Sequence, residues 1–264
     1  MKKTGNVLPA LWNSFKAAFA MFSRIPMPKT DWSEDHIGFL FCFFPWVGLA
    51  IGGLSMLVRQ IGIRRGYHEN FICAVLVILP VVLTGGIHLD GLLDTTDALY
   101  SYQEKSRRIE ILKDSHAGAF AVIRAGMYYL LQFGAFCQIW KNTKAMLMMS
   151  GVYVLSRCLS GWGVLTIPKV NSSGTAALFA ENAKERQTKI VLGIYVITLT
   201  LLMPALSPVM GWAVIVCAGT VFIWYRQKAV KYFGGTNGDL SGYFLCSCEQ
   251  AAALVLAVLT VVTG

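Results

Sequence analysis

The chain has 264 residues, of which 55% are AVILMFWYC and only 14% DEKR, whereas a soluble domain carries about 25% charged and about 45–50% apolar residues. This excludes intrinsic disorder, collagen and a disulfide scaffold, and the apolar residues spread along the whole length predict one polytopic membrane domain, residues 1–264, of all-α class. The net charge of +9 comes from 23 Lys+Arg against 14 Asp+Glu, and the positives flank apolar runs, which marks juxtamembrane charge rather than a nucleic-acid footprint.

The first segment, Val7–Phe22, places Trp12, Phe15, Phe19 and Phe22 at three- and four-residue steps, a spacing that gathers them on one helical face. An amphipathic helix lying on the membrane is expected; Lys16 interrupts the run and argues against a cleaved signal peptide. Seven membrane spans are then predicted, about Gly38–Val58, Phe71–Ile87, Ala117–Trp140, Ala145–Ile167, Ile190–Leu206, Val209–Tyr225 and Tyr243–Thr263, since about 17–25 residues of helix cross a bilayer. With alternating sides, sixteen Lys and Arg fall on the N-terminal side and five on the other, which predicts N-terminus inside and C-terminus outside. Thirteen of the fourteen acidic residues also belong to the inner side. A transporter would place ionisable groups at mid-membrane between inverted repeats, and no internal repeat is evident.

The most informative stretch follows the second span, Thr84–Leu99. Asp90, Asp94 and Asp97 are spaced i, i+4, i+7, within about 60° of arc on a 3.6-residue helix. Three carboxylates on one face repel, and a divalent cation such as Mg²⁺ reverses that cost while sharing substrate phosphates. A solvated acidic helix face is the plainer alternative. Lys113-Asp114-Ser115-His116 at the mouth of the third span offers Asp114 as a metal ligand or base and Lys113 and His116 for phosphate oxygens; a helix N-cap explains it nearly as well. Gly234-Gly235-Thr236-Asn237-Gly238-Asp239 can form a nest of backbone N–H groups for phosphate, with Gly235, Asn237 and Gly238 as binding positions and Asp239 as base or cation ligand, against a plain turn. Arg157 lies well inside an apolar run, where a charge calls for an anionic partner, either phosphate or one of the aspartates. His88, on the opposite side of its helix from the acid row, is expected at a structural interface. Asn171-Ser172-Ser173 matches a glycosylation sequon but falls on the inner side.

These residues give the chain a resemblance. Phe22-Ser23-Arg24-Ile25-Pro26-Met27-Pro28, Phe44-Pro45-Trp46-Val47-Gly48, Thr84 to Ala98, Lys113-Asp114-Ser115, Ser156-Arg157 and Gly234 to Asp239 resemble, in order, the cobalamin synthase family of bacteria, the adenosylcobinamide-GDP ribazoletransferases. Ala98 stands where Gly is usual, His116 where Arg is common, Asn237 where Thr is common and Cys246 where many relatives carry Glu.

The resemblance implies an enzyme of the bacterial cytoplasmic membrane, its site facing the cytoplasm, that joins adenosylcobinamide-GDP to α-ribazole or its 5′-phosphate and releases GMP. It implies Mg²⁺ on Asp90, Asp94 and Asp97, further metal contact or base function for Asp114 and Asp239, and phosphate contacts for Arg157 and Lys113. Membrane lipid is an expected partner, nucleic acid is not, and a homo-oligomer is compatible with the sequence. Another Mg²⁺-dependent membrane phosphotransferase or prenyltransferase, or a corrinoid transporter, is the alternative.

Overall fold

Residues 7–33, 37–114, 116–170 and 184–263 are described by a computed structural model of the chain. Lys2, Lys3, Ser115 and the sequon at Asn171 lie outside the described residues. Those described form ten α-helices: α1 Val7–Phe22, α2 Leu40–Arg65, α3 Glu69–Thr84, α4 Ile87–Tyr100, α5 Lys105–Ile111, α6 Ala119–Ile139, α7 Thr143–Thr166, α8 Glu185–Leu206, α9 Pro208–Lys228 and α10 Gly238–Thr263, with a π-helical turn at Ala229–Phe233 continuing α9.

A helix occupies each of the seven segments predicted to span. By length and apolar composition, five described helices can cross a membrane, those at Leu40–Arg65, Ala119–Ile139, Glu185–Leu206, Pro208–Phe233 and Gly238–Val262, or six if α3 and α4 count as one bent span. The predicted number is seven; the shortfall has two physical causes. Helix α3 has 16 residues, about 24 Å at 1.5 Å per residue, short of a hydrocarbon core. Helix α7 is long enough at 24 residues but buries Ser156, Arg157, Ser160, Gly161 and Gly163, because it is packed among α2, α8, α9 and α10 and presents little surface to lipid. On α8, by contrast, Ile190, Ile194, Ile197 and Leu201 are all more than half exposed, an apolar stripe in keeping with a membrane-spanning helix.

Helix α1 falls on its predicted bounds, and its aromatic face is turned toward protein. Phe22 packs on Phe44 of α2 with ring centroids 4.1 Å apart, and Phe15 meets Phe43 and Trp46 edge-on; Leu8 and Trp12 stay exposed. At one end of the bundle Arg59 holds the α6–α7 turn, donating to the carbonyls of Trp140 and Lys141 at 2.7 and 2.8 Å. At the other end, α3 stops at Gly85 and Gly86, whose φ angles of +66° and +82° are readily reached only by glycine. The chain turns by 92° there, and α4 runs across the bundle end, against the first turns of α10 and the start of α6.

Candidate active site

Helix α4 buries His88, Gly91, Leu92, Thr95, Thr96 and Ala98, which leaves the Asp90, Asp94 and Asp97 side outermost, as the spacing requires. Opposite it stands Asp239, in the first turn of α10. The two helices approach through Gly91, where a Cβ atom would lie 2.5 Å from the Asp239 carbonyl oxygen. Asn237 caps α10: its Oδ1 accepts from Leu240 N at 2.8 Å and its Nδ2 donates to Asp239 Oδ2 at 3.0 Å, so the cap also orients the carboxylate. Burial, followed by repulsion from Asp90, Asp239 and Asp97, pushes the Asp94 carboxyl up to about 7. The four aspartates therefore share one field.

Among the described residues, no three His, Cys, Asp or Glu side chains are drawn close enough to hold a metal ion unaided. Asp94 is half-buried among three like charges, a repulsion that a bound hard cation would relieve. Asp97 is partly committed elsewhere. Its Oδ2 accepts from Gly118 N at 2.6 Å and its Oδ1 from Ala121 N at 2.9 Å, capping α6 from another helix and supplying the negative charge its N-terminus favours.

Asp114 and its neighbours are not drawn into this group. Asp114 Oδ1 accepts from His116 N at 3.0 Å and pairs with His116 Nδ1 at 2.8 Å, a local turn in which those contacts hold the exposed carboxyl below its usual range; Lys113 is exposed beside it. The glycine loop also corrects its expectation. The N–H groups of Gly234, Gly235 and Thr236 are bound to the carbonyls of Val230, Ala229 and Pro168, so residues 234–236 present no phosphate nest. Gly235 is glycine because a Cβ would sit 2.2 Å from the Pro168 carbonyl oxygen. Gly238, one residue beyond the cap, does line a cavity beside Asp239.

Arg157 has a different partner from the phosphate or aspartate expected of it. Its Nη1 donates to Glu249 Oε1 at 2.8 Å and to the Tyr153 carbonyl at 2.8 Å, while Ser156 Oγ donates to the same Glu249 oxygen at 2.9 Å. Arg157 and Glu249 side chains are 1% and 6% exposed, which places the pair inside the bundle, beyond reach of a surface ligand. Nothing in the spacing around Glu249 marks it as the partner of Arg157, 92 residues away.

Two openings meet at Asp90. One is a polar cleft of about 610 Å³ between the end of α1 and the Gly85–Gly86 turn, with Arg24, Thr84 and Asp90 on its walls. The Arg24 side chain lies over Gly85, and its backbone N–H donates to the Leu83 carbonyl at 2.7 Å. The other is an apolar cavity of about 260 Å³ walled by Phe22, Phe44, Leu245 and His88, with Asp90 and Asp239 at its polar edge. His88 is thus at an interface, as expected, and on the wall of a cavity as well. Arg24, Phe22 and Phe44 occur in the resembling motifs, yet nothing in their spacing showed that they meet Asp90.

Asp90, Asp94, Asp97 and Asp239 gather at one end of an apolar helical bundle, beside two openings, while the buried Arg157–Glu249 pair lies within it, an arrangement that suits a membrane enzyme. The family model described as cobalamin-5-phosphate synthase matches residues 14–258, and the chain belongs to that family. An adenosylcobinamide-GDP ribazoletransferase of Lachnoclostridium phytofermentans is 41% identical over 93% of this chain and 94% of its own length. Proteins of the same name from Clostridium perfringens and Ectopseudomonas mendocina are 29% and 30% identical, over 94% and 92% of this chain and 98% of their own lengths in both cases. No solved structure matches the chain. It is a transferase, and it is multi-pass.

Proposed function

We propose that this chain joins adenosylcobinamide-GDP to α-ribazole, or to its 5′-phosphate, forming adenosylcobalamin or its 5′-phosphate and releasing GMP. The observation that carries the proposal is the position of Asp90, shared by a polar cleft and an apolar cavity and faced by Asp239 across the α4–α10 crossing. Two openings that meet at one group of charges can seat a diphosphate donor and a nucleoside acceptor side by side. The relatives' names favour neither prenyl transfer nor transport.

A ribose hydroxyl of α-ribazole attacks the phosphorus nearest cobinamide; a new O–P bond forms, the bond from that phosphorus to the bridging oxygen breaks, and GMP departs with the electron pair. Asp239, oriented by Asn237 and set at the edge of the apolar cavity, takes the hydroxyl proton. Arg24, on the wall of the polar cleft, meets the diphosphate oxygens of the donor. Asp90, Asp94 and the remaining lone pairs of Asp97 would hold Mg²⁺, which when bound supplies charge stabilisation to the diphosphate and its leaving group. Positioning of this kind provides most of the acceleration in phosphoryl chemistry.

The site faces the cytoplasm of the bacterial cell membrane on this proposal. What supports it is the clustering of basic connections at the site's end: Arg24 joins the α3 end through Leu83, Lys184 N–H donates to the Gly38 carbonyl, and Lys169 pairs with Thr236, whereas Arg59 and the Lys141–Glu69 pair mark the other. The test is product formation by purified, detergent-solubilised protein from adenosylcobinamide-GDP and α-ribazole. Equal amounts of adenosylcobalamin and GMP, lost with chelator and restored by Mg²⁺, are expected; folded protein that yields neither product would end the proposal.

A further inference from the structure

We infer that the apolar cavity behind Asp90 is the seat of the acceptor's flat bicyclic base, and that His88 identifies that base by one hydrogen bond to its free ring nitrogen. This deepens the reaction proposed above and rests on it. Phe22 and Phe44 bring their rings to 6.3 and 5.8 Å from the His88 ring, so the three form an aromatic wall at one side of the cavity. His88 is 9% exposed and its Nε2 is buried without a partner. Among the described residues it is the only lining side chain with such an orphaned polar atom. A polar ring nitrogen left buried and unbonded is costly, and a ligand partner would remove that cost.

The chemistry selects the occupant. A dimethylbenzimidazole has one free ring nitrogen, two methyl groups and two aromatic faces, which suits aromatic and aliphatic walls with a single unpaired donor. Guanine, the base of the donor, brings a carbonyl, a ring N–H, an amino group and a further ring nitrogen, more polar groups than the mainly aromatic and aliphatic walls match away from the Asp90–Asp239 edge, which the ribose takes. A corrin macrocycle is too large for about 260 Å³. With the base against His88 and Phe44, the attached ribose points to the cavity's polar edge, where Asp90 and Asp239 stand. His88 is accordingly a specificity-determining residue, a role that requires its Nε2–H tautomer, in which that nitrogen donates.

Two readouts test this on the full-length protein in detergent. In turnover assays, His88→Leu should raise KM for α-ribazole about tenfold, the loss of one hydrogen bond to a buried group, with KM for adenosylcobinamide-GDP within twofold of wild type. In equilibrium binding, free 5,6-dimethylbenzimidazole should bind wild type and be displaced by α-ribazole, not by GMP, while its nitrogen-free analogue 5,6-dimethylindene binds wild type more weakly and His88→Leu equally well. The binding arm needs no turnover, so it stands or falls apart from the reaction. If His88→Leu does not fold, Val164→Phe, which fills the same cavity from α7, should abolish dimethylbenzimidazole binding. A rise in the donor's KM alone, displacement by GMP, or binding indifferent to both substitutions overturns the inference.

Discussion

Gly91 lies against the backbone of Asp239, so closely that a methyl group at position 91 would come within 2.5 Å of the Asp239 carbonyl oxygen. That contact sets how near the first turn of α10 comes to the acid row of α4, and so decides whether Asp239 shares the field of Asp90 and Asp94. Gly91→Ala should therefore separate the two helices, costing about 1–3 kcal/mol by overpacking and at least tenfold in turnover. Gly126→Ala is the control, because a Cβ there meets nothing within 4 Å. Thermal unfolding and GMP release, measured on both variants, check the expectation.

Asp94 gives the molecule a pH dependence. Its carboxyl titrates near 7 in the folded protein against an ordinary 3.8, so between those values the folded state holds more protons than the unfolded one. Stability then falls as pH rises from about 4 toward 7. In the absence of Mg²⁺, Asp94→Asn should raise the melting temperature at pH 8 and leave it unchanged at pH 4. Mg²⁺ should stabilise wild type at pH 8 and do so more weakly in the variant. Scans at the two pH values, with and without the ion, read all of these effects.

Asp97 separates capping from chemistry. Its two oxygens receive Gly118 N and Ala121 N, and loss of such a cap costs about 1 kcal/mol, which is about 2–4 °C for a chain of this size. Asp97→Ala should show that drop, and Asp97→Asn, which keeps an acceptor, should lose less than half as much. Differential scanning calorimetry in detergent is the check.

The pair of Arg157 and Glu249 is buried at 1% and 6% side-chain exposure, and removing one member strands the other charge, at about 3–5 kcal/mol. Arg157→Met alone should be strongly destabilised. Arg157→Met combined with Glu249→Met should recover much of the loss, since two matched apolar side chains leave no unpaired charge. Comparing the melting temperatures of the single and double variants measures the difference.

Much of this site is legible in the amino-acid sequence, for a simple reason. The acid row on α4 follows from a 3.6-residue period alone, and the glycines of Gly85–Gly86 mark a place where the backbone is unusual. Contacts between distant segments are not legible in the same way. Arg157 asks for an anion, but its partner lies 92 residues away, and nothing in Ser247–Gln250 indicates which helix it faces. Gly235 signals a close approach without saying that Pro168, rather than a phosphate, makes it. Asp114 stands just before an apolar run, where a helix cap is expected, yet it closes a local turn, and Asp97 of α4 caps that helix instead. The span count suffers for a related reason: hydropathy measures exposure to lipid, and α7, surrounded by other helices, can bury small and polar residues instead.

The central claim is that carboxylates from α4 and α10 act together on one transferring phosphoryl group. It is tested most directly by the rate of GMP release from adenosylcobinamide-GDP and α-ribazole in Asp94→Asn, at saturating Mg²⁺ and with folding verified by calorimetry. A loss of roughly 10²-fold or more, the size expected when a charged group of the site is neutralised, is predicted. Release at the wild-type rate would contradict it and would leave the acid row a solvated helix face.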